Sequence, residues 1–353
     1  MSGKNDVLGR YDSMIAEKSR NAVIVSKLRL FAVEGEGEPV CPPTYASVEK
    51  DGPPRYNINT CGGKKTCTVD SVQSQANRMA QIFGAPKYNR LVPKVTLKLK
   101  GEEREETYDM NTDIPHGVAD GAIIASDLGP VAAEACRSFA SGDAVPLVKF
   151  GPLSVTGGFW NGRGNHEKQQ RLIRARIDAH DVEVLYTSSQ YTSLPYDRIG
   201  ALDPSQCGKN TQFAQVPSRT LGGVVPHGEI RRTVTISLED IRKLRAGDDG
   251  ETTRRLRRYV LGLILVMAFN EQSYNLRQGC FLVPEFGVEM TCELVSYDGL
   301  REAIRVSPEE ALEFALAASE DFGVGEDIEG TFCPKMAAKL NKDMKDKKDK
   351  KGK

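Results

Sequence analysis

Residues 171–185 read RLIRARIDAHDVEVL. Ile173, Ala175, Ile177 and Ala179 alternate with Arg174, Arg176, Asp178 and His180, the period of two expected of a half-buried strand. Arg171 with Arg174, and Ile173 with Ile177, also fit helical spacing, but the alternation runs longer and a strand is preferred. As a strand, the segment puts Arg174 and Arg176 on one sheet face, away from Ile173 and Ile177. The stretch before it, TGGFWNGRGNHEKQQ (156–170), adds Arg163, Lys168, four glycines and the only Trp of the chain, Trp160. A single acid, Glu167, accompanies five cations between 156 and 176.

Other segments extend the pattern on both sides. AVIVSKLRLFAV (22–33) is rich in β-branched residues and reads as a strand. The Pro- and Gly-rich 34–54 reads as loop. TVDSVQSQANRMAQIF (68–83) carries Val69, Val72, Ala76, Met79 and Phe83 at spacings of three and four, a helix with Asp70 as the candidate N-cap. KVTLKLKGEEREETYDM (94–110) alternates and turns at Gly101, an exposed hairpin. Helix is expected within 115–143, and strand followed by a glycine loop in 147–160. Residues 200–228 read as a long loop, and 229–241 alternate again. A helix is expected over 252–269, late strands over 280–297, and a helix over 307–323 with Ser307, Pro308 and Glu310 in capping-box order. From Lys339 the Lys-rich sequence loses all apolar periodicity and reads as a disordered tail. The expected organisation is one elaborated domain over 1–338 and that tail over 339–353. Hairpins without a regular βαβ rhythm favour an α+β fold with a mostly antiparallel sheet.

Composition narrows the chemistry. The chain has 353 residues and a formal net charge of zero, so any polyanion-binding surface must be local, with acids elsewhere. The eight cysteines contain no CxxC pair, and only four histidines accompany them, which argues against a zinc site. The N-terminus has no apolar leader and the longest apolar run, 259–269, is too short for a bilayer; a cytoplasmic protein with no membrane contact is expected. GGKKT (62–66) lacks the glycine that a phosphate loop needs before Lys-Thr. GRGNHE (162–167) lacks the third glycine of a dinucleotide fingerprint. No cofactor is expected.

A single-stranded nucleic acid asks for cations along the phosphates, close backbone approach and flat surfaces for bases. The 156–176 stretch supplies all three types, with Arg163, Lys168, Arg171, Arg174 and Arg176 for phosphates and Trp160 for stacking. A second reading buries Trp160 in the core and pairs the arginines with acids such as Glu102–Glu106, and residues alone do not separate the two. Ser71, Gln73, Gln75, Asn77 and Arg78 crowd hydrogen-bonding groups at a helix start suited to phosphate. Arg231 and Arg232 are weaker candidates. His166, in the basic loop, is the candidate for RNA cleavage by general base chemistry.

DSVQSQANRM, PHGVADGAI, LVKFGPLSVTGGFWNGRG with EKQQRLIRARIDAHDV, SSQYTS, GGVVPHGEIRRTVTISL and YNLRQGCFLV occur in this order. Together they resemble the backbone RAMP protein of type I-U (I-G) CRISPR surveillance complexes, in the Cas-seven group, over about residues 68 to 300. The resemblance implies an RRM/ferredoxin-like core with inserted hairpins and helices. It implies a non-catalytic subunit that polymerises along a CRISPR guide RNA, pairing with target DNA through the guide. Its partners would be copies of itself and other Cascade subunits. The alternative within the same superfamily is an endoribonuclease using His166 or His180. A third reading is a nucleotide-binding enzyme with the 157–164 loop on phosphates. The chain departs from the family's usual Trp-Asp-Ser-Arg-Gly at Trp160-Asn161-Gly162-Arg163-Gly164, and from its aromatic-Pro-Thr-Gly pattern in 39–54.

Overall fold

The computed structural model describes residues 4–47, 49, 52–114, 116–161, 168–188, 199–207 and 219–351. The expected first strand is β1 (Asn21–Ala32). A tight hairpin follows, β2 (Ile58–Cys61) and β3 (Lys64–Asp70), turning on Gly62 and Gly63. Both glycines have positive φ, 57° and 80°, as a two-residue hairpin loop requires. Helix α1 (Val72–Gln81) is capped by Ser71, whose side chain accepts from Ser74 N at 3.2 Å. The expected cap, Asp70, is instead the last residue of β3 and fully buried.

The hairpin expected over 94–110 is β4 (Val95–Lys100) with β5 (Glu105–Asp109). Val95 and Leu97 are buried, so its base belongs to the body of the protein. After α2 (Gly129–Ala140) come two short helices, α3 (Val145–Phe150) and α4 (Pro152–Gly157). They replace the strand expected in 147–160. Pro146 and Pro152 fall in their first turns, where a fixed φ and a missing N–H cost nothing. Phe159–Trp160 (β6) and Lys168–Gln169 (β7) then pair as a short ribbon.

The opening segment is a strand, β8 (Ile173–His180). Strands β9 (Val182–Ser188) and β10 (Arg219–Pro226) pair with one another, so the loop expected over 200–228 is partly strand. Next come β11 (Ile230–Ser237), α5 (Leu238–Arg242) and the 20-residue α6 (Gly250–Phe269), whose cap Asp249 accepts from Glu251 N and Thr252 N at 3.0 Å. The late strands are β12 (Tyr274–Arg277), β13 (Cys280–Pro284), β14 (Thr291–Ser296) and β15 (Arg301–Ala303). Helix α7 (Pro308–Phe322) begins with the expected capping box. It packs so closely on α6 that a Cβ on Gly262 would lie 2.8 Å from Ala315 Cα. β16 (Ile328–Thr331) pairs parallel with β4. From Pro334 the backbone forms one helix, α8 (Pro334–Lys351), where a tail without regular structure was expected from 339.

The central sheet is antiparallel, in the order β12–β13–β1–β11–β8–β3–β2, with β14 also on β1. Within it, β14–β1–β11–β8 is a four-strand unit, and α1 and α6 share one core against one face. Ile24, Ile236 and Ile173 form one cross-strand row on that covered face. The other face is open. Its rows read Val25–Thr235–Arg174, Lys27–Thr233–Arg176 and Arg29–Arg231–Asp178. The period of two read from 171–185 therefore separates a covered apolar face from an open polar one.

Candidate nucleic-acid interface

Helix α1 packs on β8 and presents two different faces. Inward, Met79 is buried in the core and Gln75 is 1% exposed. Gln75 Nε2 donates to Asp70 Oδ2 at 2.7 Å, and Gln75 Oε1 accepts from Arg232 Nε at 3.0 Å. Arg78 Nε lies 3.3 Å from Asp70 Oδ2, and its Nη2 donates to Leu276 O at 2.7 Å. Both residues, expected in a groove, hold α1 to the body of the protein through these contacts. Arg232, also read as a surface cation, is 2% exposed and donates to Ala268 O at 3.1 Å, at the end of α6. Ser71 is engaged as the cap.

Outward, α1 offers Gln73, Ala76, Asn77 and Ala80 to a groove of about 750 Å³. Residues 110–114, His116, Gly117 and Ala119 line it too, and Gly157–Trp160 with Gln169–Arg171 close one end. Gly158 makes that end possible. Its φ is +77°, and a Cβ there would lie 2.8 Å from Arg171 N and 2.9 Å from Gln169 O. Trp160 is 70% exposed, so it is not a core residue. Arg171 donates to Gln73 Oε1, and Gln73 Nε2 donates to Asn77 Oδ1 at 2.9 Å. Burial, then the neighbouring Arg174 charge, lowers the pKa of Arg171.

The cations differ in how much of their charge is free. Among the described residues, no carboxylate forms an ion pair with Arg171, Arg174 or Lys168. Arg176, on the open face beside Arg174, pairs with Asp178 at 2.8 Å. Arg231 pairs with Glu229. Asp178 is buried and the Arg231–Glu229 pair is half-buried, so these two arginines are already held by carboxylates. Arg163 and His166 lie outside the described residues.

Sequence reading missed the far wall. Asn111 lines the groove with no motif to mark it, and His116, inside the PHGVADGAI block, lines it without having been read as a site residue. Lys27 and Arg29 on the open face follow from the alternation of β1 and were readable. His180 does not line the groove; its Nδ1 is 3.4 Å from Thr66 Oγ1. Burial first, then Arg231, lowers its pKa. Among the described residues, no group of three or more His, Cys, Asp or Glu gathers as a metal site, and no helix is long and apolar enough to cross a membrane.

The fold and groove together define an α+β protein with an antiparallel sheet, two helices on one face, and a cationic groove beside β8. Residues 24–184, which include α1, β6, β7 and β8, match the family described as CRISPR-associated protein GSU0053. No curated protein matches the chain. Among solved structures, a chain of one described as "CRISPR RNA-guided surveillance complex, pre-nicking" is similar, at 13% identity and a TM-score of 0.34, over 85% of this chain and 84% of that one.

Proposed function

We propose that this chain is a guide-RNA-binding backbone subunit of a type I-U/I-G CRISPR surveillance complex. It polymerises along the guide and presents it to target DNA, without catalysing a reaction itself. The observation that carries the reading is that Arg171 and Arg174, which have no ion-pair partner among the described residues, line an amide-bearing groove with the exposed Trp160. Free charge next to a stacking surface is the combination that single-stranded nucleic acid needs. The strand order adds support. Reading β1, α1, β8, β11, α6 and β14 along the chain gives βαββαβ, with the strands ordered fourth, first, third, second. This order supports a ferredoxin-like core of the kind on which RRM proteins bind RNA. The description of the matched family as CRISPR-associated selects the guide as that RNA.

The test is single-stranded RNA binding by fluorescence anisotropy across a salt series. Arg171→Ala and Arg174→Ala should each weaken binding to all sequences alike. Each should lower the salt slope by about 0.7, the share of one phosphate contact on a single strand. Unchanged affinity and slope in both variants would refute the assignment.

A further inference from the structure

The open face of the sheet changes character at one end. Along β1 its outward residues run Val25, Lys27, Arg29 and then Phe31. Phe31 pairs with Val283 of β13, and beside it Val33 N donates to Phe281 O at 2.9 Å. Cross-strand partners point to the same side of a sheet, so these four apolar side chains share the open face. Leu30, Ala32 and Leu282, which alternate with them, are buried on the other side. Val33 is 48% exposed and Phe281 42%. Large apolar side chains grouped on a surface mark an interaction site.

Acids rim this patch. Glu34, Glu36 and Glu38 follow Val33 and are exposed. Glu36 and Glu38 line, with Phe31, a recess of about 160 Å³ closed by residues 226–230. Among the described residues, no cation forms an ion pair with any of the three. An acid rim repels phosphates, so the patch does not extend the RNA surface. It is complementary to a cationic protein element that carries an apolar stripe. Helix α8 is such an element. Residues 335–353 hold nine lysines against three aspartates, so this end of the chain is strongly cationic. Lys335, Lys339 and Lys342 fall on one face of α8, and Met336 and Leu340 on the face beside it. No residue from 334 to 342 is buried, which leaves both faces open to a partner.

We infer that the acid-rimmed patch at the β1–β13 end of the sheet receives α8 of a second copy of this chain; the inference rests on the polymerising reading above. The apolar stripe of α8 covers the patch, and its lysines meet Glu34, Glu36 and Glu38. Patch and helix are different surfaces, so the contact is heterologous. Each copy offers its helix to one neighbour and its patch to the other, which builds an open row of copies rather than a closed pair.

The test is sedimentation velocity of the full chain, free of nucleic acid, across a concentration and a salt series. One variant reverses the patch, Glu34→Lys/Glu36→Lys/Glu38→Lys. The other reverses the helix, Lys335→Glu/Lys339→Glu/Lys342→Glu. All six positions are exposed, so the fold is kept. The unmodified protein should form oligomers that grow with concentration and dissociate as salt screens the charges. Each variant alone should associate more than about tenfold more weakly, because like charges then meet across the contact. An equimolar mixture of the two should associate again, since the patch of each is opposite in charge to the helix of the other. Association unchanged by either reversal, or lost in both and not regained on mixing, would overturn the inference. An unmodified protein that stays monomeric would overturn it too; if that protein still assembles on RNA, the polymerising reading stands without it. No assembly with or without RNA would overturn both. Weaker RNA binding by the helix-reversed variant of a protein that does not self-associate would overturn the inference by assigning α8 to RNA.

Discussion

Asp70→Asn should destabilise the protein by about 3–5 kcal/mol, the loss typical when one partner is removed from a buried ion network. The carboxylate is fully buried and meets Gln75 Nε2 at 2.7 Å, Arg277 Nη2 at 3.0 Å and Arg78 Nε at 3.3 Å. Through Gln75 it also orders Arg232, which has no carboxylate partner among the described residues. The asparagine keeps the volume and one acceptor but not the charge, so two guanidiniums lose their counter-ion. The cost is therefore mainly uncompensated positive charge. That origin makes a second, sharper expectation: Arg277→Met added to Asp70→Asn should restore part of the stability, because it removes one stranded cation. Urea denaturation followed by circular dichroism measures both. A loss below about 1 kcal/mol, or full additivity of the two changes, would refute the argument that this network fixes α1, since interacting partners depart from additivity by about 0.5–3 kcal/mol.

Gly158→Ala should weaken single-stranded RNA binding together with stability, because the new methyl meets the Arg171 and Gln169 backbone within 3 Å; anisotropy and thermal unfolding on one preparation check this. Burial holds the His180 pKa below its ordinary value of 6.5. The unfolded chain thus takes up that proton first, and stability falls as pH drops below about 6.5. Asp178, whose pKa burial raises from 3.8, acts with the opposite sign at lower pH. The groups that shift His180 are Arg231, Asp178, Glu229 and Arg176. The stability gap between the unmodified protein and His180→Gln, from urea curves between about pH 7.5 and 5.5, should therefore change in favour of the variant as pH falls. Burial pushes the thiols of Cys67, Cys280 and Cys292 up to about 12, 11 and 11. A thiol reagent with peptide mapping should label exposed Cys61 quickly and those three only on unfolding.

Where local chemistry decides the structure, it was legible. The alternation of Ile173, Ala175, Ile177 and Ala179 identified β8 and the exposed side of Arg174 and Arg176, because a covered sheet face imposes that period. Ser307, Pro308 and Glu310 identified the start of α7 for an equally local reason. Residues 147–160 misled because Val148, Phe150 and Val155 are buried in a helical pair, and burial outweighs β-branching. Pro146 and Pro152, each suited to a first helical turn, were the signal that pointed the other way. Asp70, Gln75, Arg78 and Arg232 read as surface polar residues, since their partners lie on strands and helices as many as 207 residues away. Asn111 is the extreme case: it lines the groove together with α1, 30 or more residues away along the chain, which no spacing encodes.

The central claim, that Arg171, Arg174 and Trp160 form a guide-RNA interface, is tested most directly by the nucleic acid that accompanies the purified protein. The chain is expressed alone and together with a CRISPR array, washed at moderate salt, and the retained nucleic acid is extracted and sized. The account predicts guide-length RNA from the array, protected in multiples of a fixed interval and lost in the Arg171→Ala/Arg174→Ala protein. Purified protein free of RNA in the presence of the array, or RNA retained undiminished by the double variant, would contradict it.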